Sequence, residues 1–236
     1  MNDITQDHTV LAYNEELAQL RGVVLEMGEL VTGQVSDAIK ALCKGDMGRA
    51  RQVLEHDRKV GELDIEVDGE IHRLIALRQP KASDLRLVLA FSKSVAELSR
   101  IGDRAREIAA FAERLDDDEN RKPRKKLLRH IKLMNERACC MLERSLESLT
   151  TVDVPAAIEI LKEDAELDDE FDAGMRHLVT FMWENPSAIT RVLDMVFVLK
   201  ALERVGDHAK HIAQQVVFVA EGRDVRHLNP ELLESL

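Results

Sequence analysis

A chain of 236 residues with 45% hydrophobic and 33% charged side chains, but only 11 glycines and 5 prolines, is neither disordered nor collagenous and can bury a sizeable core. Aromatic residues make up 3%, while Leu, Ala, Val, Glu and Arg dominate, which is the composition of long packed helices rather than of a β-sandwich. The formal net charge of −11 repels nucleic-acid phosphate and anionic headgroups, so direct nucleic-acid binding is not expected.

Six periodic stretches follow one another. The first is predicted from about Thr9 to Lys44 and is closed by Gly45. Asp46 can cap a second helix that reaches Arg78, where Gln79-Pro80 interrupts it, because proline disfavours helical geometry in the residue before it. Ser83 or Asp84 starts a third, which ends near Leu115. The run Asp116-Asp117-Asp118-Glu119 followed by the basic Arg121 to Lys126 is a charge-segregated turn and the natural boundary. A fourth helix extends to about Leu149. Asp153 and Pro155 open a fifth, Asn185-Pro186 ends it, and a sixth runs to Glu221-Gly222 before a loose tail.

The sequence repeats itself. Leu98 to Ala109 recurs as Leu202 to Ala213 with seven of twelve positions identical, and Leu54, Asp57 and Pro80 line up with Leu161, Asp164 and Pro186. The expected architecture is therefore all-α, two tandem pseudo-symmetric antiparallel three-helix bundles, over residues 9–117 and 118–222, with 223–236 as a C-terminal tail. Three cysteines, Cys43, Cys139 and Cys140, show no Cys-x-x-Cys spacing and fit a reducing cytoplasm. No leader-like segment opens the chain, and no apolar run approaches the roughly 20 residues that span a bilayer.

The apolar seam of the sixth helix is Val198, Leu202, Val205, Ala209, Ile212 and Val216, matched by Ser94, Leu98, Ile101, Ala105, Ile108 and Ala112 in the third. Opposite it, Glu203, Asp207 and His211 fall in a line at successive turns, and the first unit offers Ser99, Asp103 and Glu107. Such lines are commonly solvated faces, but like charges one turn apart repel unless a cation compensates, so metal binding competes with the solvated reading. The seams of the second and fifth helices place Asp57 and Asp164 on buried stripes. Each then needs a partner: Arg100 and Arg204 as internal ion pairs, or a metal shared with Asp168 and Asp172 and with Glu203 and Asp207. In the first unit Gly61 stands where the second has Asp168. All-carboxylate sites suit Mg²⁺ or Mn²⁺, whereas His211 or His208 would admit iron or zinc. His72, His130 and His177 are expected on helix surfaces.

No catalytic or cofactor-binding residue stands out. Glu-x-x-His, His-Glu-x-x-His, a P-loop and Gly-x-Ser-x-Gly are all missing from the sequence, and an enzyme is not expected.

The stretches Arg78-Gln79-Pro80-Lys81-Ala82-Ser83-Asp84-Leu85-Arg86, Ala96 to Asp103 and Leu202 to His208 resemble the PhoU family of phosphate-signalling and phosphate-transport accessory proteins over nearly the whole chain. The resemblance implies a cytoplasmic, non-enzymatic, often dimeric protein with carboxylate-x-x-x-Asp motifs that hold multinuclear iron, zinc, magnesium or manganese. It implies negative regulation of phosphate-starvation signalling and phosphate uptake, as an adaptor between the ATPase subunit of the phosphate ABC transporter and a membrane sensor histidine kinase. The membrane would be met only through these partners. Ser99 departs from the family's usual Glu, so a metal site in the second unit is expected to be the tighter one. Arg78, Lys81 and Arg86, around Pro80, are plausible partner contacts. The competing reading is a carboxylate-lined metal-binding, sensing or storage bundle.

Overall fold

The computed structural model describes residues 3–116 and 128–225, and among these it contains six α-helices, one short 3-10 turn and no strand. The helices are α1 (Asp3–Lys44), α2 (Met47–Arg78), α3 (Ser83–Asp116), α4 (Leu128–Thr151), α5 (Val154–Glu184) and α6 (Ile189–Glu221).

Local chemistry sets most of the ends. Asp46 and Asp153 each cap the helix that follows, accepting a hydrogen bond at 3.0 Å from the backbone N–H of Arg49 and of Ala156. Pro155 occupies the first turn of α5, where its missing N–H costs nothing. Gln79 ends α2 in the left-handed region at φ 50°, its N–H donating to the carbonyl of Ile75, and Pro80 forbids continuation. Pro186 opens the 3-10 turn Pro186–Ala188 between α5 and α6. Two limits differ from expectation. Helix α1 starts at Asp3 rather than Thr9, because no proline or glycine lies between them to stop it, and α4 runs past Leu149 to Thr151. The charge-segregated turn beyond Asp116, with the expected boundary at 117–118, lies outside the described residues.

Helices α1, α2 and α3 pack on one another, as do α4, α5 and α6. The two units meet through α3 on α6 and α1 on α4, which leaves α2 and α5 on the flanks. All six seam residues of α6 are fully buried, and those of α3 are at most 4% exposed. Each large apolar side chain so buried contributes roughly 2 kcal/mol, and this burial rather than helix propensity holds the bundle.

Contacts between α3 and α6 step in opposite directions along the two helices: Phe111 stacks on Phe197, Glu97 meets His208 and His211, Lys93 lies over Phe218, and Arg86 reaches Val219. The helices are therefore antiparallel and cross near the level of Gly102 and Gly206, two residues that the repeat also aligns. Val225, just beyond α6, is 2% exposed, so the first part of the expected loose tail is held against the core; residues 226–236 lie outside the described part.

Candidate functional site

Asp164 is 6% exposed, in keeping with its place on the apolar stripe of α5, and accepts a hydrogen bond from the ammonium of Lys210 on α6. Asp57 is half-buried and accepts from Arg106 on α3 at 3.2 Å. Arg106 and Lys210 are repeat equivalents, so each unit carries the same flank-to-centre ion pair. The expected partners, Arg100 and Arg204, do not make these pairs. Arg100 donates to Glu97 at 2.7 Å and Arg204 to Asp207 at 2.9 Å, because side chains three residues apart on one helix reach each other first.

The acids of the second unit crowd together. The Asp168 carboxyl is pushed up from its ordinary range, first by burial and then by the negative charges of Asp164, Glu203 and Asp207, with Lys210 pulling the other way. Glu203 accepts from Lys200 at 2.6 Å, while its second oxygen, Oε2, is buried without a hydrogen-bond partner. Asp164, Asp207 and Glu203 are met by Lys210, Arg204 and Lys200, and among the described residues the ligand atoms that all lie within 4.8 Å of one another are those of Glu97, His208 and His211, not of these four acids.

The first unit has no counterpart of Asp168. Asp103 is taken by Arg106 and Glu107 by Arg104, both at 2.7 Å, and Ser99 donates to Asp64 at 3.1 Å. Gly61 has open space where Asp168 would be matched.

His211 is turned away from the line that begins with Glu203 and Asp207. With His208 it addresses Glu97 on α3: the two Nδ1 atoms lie 3.3 and 2.6 Å from the same oxygen, Oε2. Ligand atoms of Glu97, His208 and His211 all fall within 4.8 Å of one another. Burial works to raise the Glu97 carboxyl, but hydrogen bonds and charge from the two imidazoles outweigh it and hold the group well below the ordinary carboxylate range. Glu97 was not among the expected site residues, and His208 was considered only as a ligand beside the acids of its own unit, because the two join only where the units meet. The available signal was the His-x-x-His spacing on the sixth helix. His130, expected on the surface, is instead four-fifths buried against Glu170 at 2.6 Å and beside His177.

The proposed contact residues are largely engaged within the chain. Arg78 makes a bidentate pair with Glu16 on α1 at 2.8 and 2.9 Å. Arg86 donates to the carbonyl of Val219 at 2.9 Å, satisfying one of the free carbonyls at the end of α6. Lys81 remains exposed. Large apolar side chains are exposed elsewhere: Ile189, Leu193 and Phe197 form a stripe at successive turns of α6, and Trp183 at the end of α5 is 84% exposed. Among the described residues no helix is long and apolar enough to cross a membrane.

Residues 24–112 and 131–216 each match the PhoU domain, so the duplication seen in the sequence and in the paired bundles is a duplication of that domain. The chain belongs to the PhoU family. It is 40% identical over 227 residues to the phosphate-specific transport system accessory protein PhoU homolog of Pseudomonas aeruginosa, covering 96% of this chain and 92% of the relative. It is 35% identical over 224 residues to the phosphate-specific transport system accessory protein PhoU of Escherichia coli, covering 95% and 91%. The crystal structure of PhoU from Pseudomonas aeruginosa superposes with a TM-score of 0.82 at 40% identity, over 89% of this chain and all of that one. That of the phosphate transport system regulatory protein PhoU from Streptococcus pneumoniae gives 0.82 at 25% identity, over 90% and 99%. The all-α, twice-three-helix architecture is that of the PhoU family.

Proposed function

We propose that this protein is a cytoplasmic accessory of a phosphate-specific transport system that represses phosphate-starvation signalling and phosphate uptake, by linking the transporter's ATPase subunit to a membrane sensor histidine kinase. The observation that carries the reading is full-length similarity to accessory proteins of phosphate-specific transport. Its physical support is a molecule that offers long helical faces, with exposed apolar side chains at Ile189, Leu193, Phe197 and Trp183 as anchors for protein contacts. A homodimer, which the family resemblance implies, would use the same kind of face.

Deletion of the gene tests this. Alkaline phosphatase output in abundant phosphate becomes constitutive and is repressed again by the plasmid-borne gene; unchanged repression in the deletion strain overturns the reading. Pull-down of the ATPase subunit and the kinase from the same cells separates an adaptor, which retains at least one of them, from a protein that acts alone.

The storage reading has less support, because in both units cations of the chain itself already meet most of the acids. A metal in the second unit, held by Asp164, Asp168, Glu203 and Asp207, is better read as a structural or sensing element within the regulator. Calorimetric titration with Mn²⁺ is expected to show one tighter site, lost in Glu203→Gln; equal affinity in both units counts against it.

A further inference from the structure

The repeat breaks where the two halves face each other. Extending the alignment of Leu98–Ala109 on Leu202–Ala213 by one residue pairs Glu97 with Ala201, Arg104 with His208 and Glu107 with His211. On one side of the α3–α6 crossing stand a carboxylate and two imidazoles. On the other, the same positions hold a buried alanine and an Arg104–Glu107 ion pair at 2.7 Å, which provides no such set of donors. The shared fold therefore does not require the trio, and its chemistry belongs to this face alone.

Two histidines three residues apart on one helix, with a carboxylate from the facing helix, form a mixed nitrogen–oxygen donor set that favours zinc and other late first-row divalent ions over magnesium or calcium. The geometry is near what such an ion needs. Tetrahedral ligands about 2.0–2.1 Å from zinc stand roughly 3.3 Å apart, and here every pair of ligand atoms lies within 4.8 Å. Arg100 holds the other oxygen of Glu97 at 2.7 Å and so orients the carboxylate, as an outer partner of a metal ligand does. The side chains of Glu97 and His208 are 14% and 13% exposed, whereas that of His211 is 45% exposed, which gives an ion a way in and leaves room for a water ligand.

We propose that Glu97, His208 and His211 bind one zinc-class divalent ion, which clips α3 of the first unit to α6 of the second. The site is separate from the all-oxygen set of Asp164, Asp168, Glu203 and Asp207, and it stands or falls independently of the phosphate-signalling reading.

The test uses the full chain, stripped with a chelator and titrated with Co²⁺, then with Zn²⁺ as competitor. One equivalent of cobalt is expected to give the visible bands of a low-coordinate, nitrogen-ligated ion, and zinc to abolish them. His211→Asn and Glu97→Gln should each weaken cobalt binding by at least about tenfold. The Asp168→Asn/Glu203→Gln double variant should keep the bands. Because His211 is half exposed, metal-free His211→Asn should melt like the parent, so it carries the test should Glu97→Gln fold poorly. Absence of the bands in the parent, their persistence in His211→Asn, or their loss in the Asp168→Asn/Glu203→Gln variant would overturn the proposal.

Discussion

Asp164 on α5 and Lys210 on α6 stand in the same relation as Asp57 on α2 and Arg106 on α3, but at different depths. The aspartate side chain of the first pair is 8% exposed and that of the second 31%. Lys210→Met strands a charge in the core and should cost about 2 kcal/mol, less than for a fully enclosed pair because the lysine itself is partly open to water. Arg106→Met should cost below about 1 kcal/mol. Urea unfolding of the two variants compares them directly; equal losses would mean the depth of the aspartate does not matter.

Gly102 and Gly206 occupy equivalent positions with unequal room. A methyl group on Gly206 would lie 2.1 Å from Cδ2 of Leu167, whereas on Gly102 it would meet Val60, the repeat equivalent of Leu167, at an ordinary 3.5 Å. Alanine relieves the helix of about 1 kcal/mol in either place. Gly102→Ala should therefore be neutral or stabilising. Gly206→Ala should lose about 1–2 kcal/mol net as Leu167 is displaced from its packing. Thermal melts of the two variants give the sign of each.

Glu16 carries a pH dependence. Its hydrogen bonds from Arg78, opposed by burial and aided by the charges of Arg78 and Arg73, hold its carboxyl below the ordinary 4.5. A depressed folded value means stability that is present above the unfolded pKa and lost as pH falls through the folded one. Glu16→Gln should lower the urea midpoint at pH 7, and its deficit relative to the parent should shrink as pH drops below about 4.5. A deficit constant down to acid pH would show that the charge is not what matters.

Arg86 closes the last turn of α6 from the first turns of α3. Arg86→Ala should cost about 1 kcal/mol through the freed Val219 carbonyl and speed hydrogen exchange at the end of α6 while leaving its middle protected. Uniform exchange along the helix would show instead that the contact supports the whole bundle.

Much of this was legible in the residues. Asp46 and Asp153 announced their helices, Pro80 and Pro186 the breaks, and the 4-3 spacing through Leu202 and Leu98 the buried seams, because each depends on neighbours close in the chain. The partners of Asp57 and Asp164 were not. Choosing Arg106 and Lys210 over Arg100 and Arg204 requires the axial register of one helix against another, which the periodicity of a single helix does not contain. Glu97 with His208 and His211 was harder still, since it depends on how one unit is laid against its copy, and each unit's own seam is satisfied without it.

The antiparallel lie of α3 along α6 bears on how the polypeptide is made. While the ribosome is still producing the second half, the first has no neighbour for the flank of α3, and Arg86 has no carbonyl to seize. Docking of the leading copy is complete only once the trailing copy emerges, and until then the nascent chain exposes the side of α3 that α6 later covers.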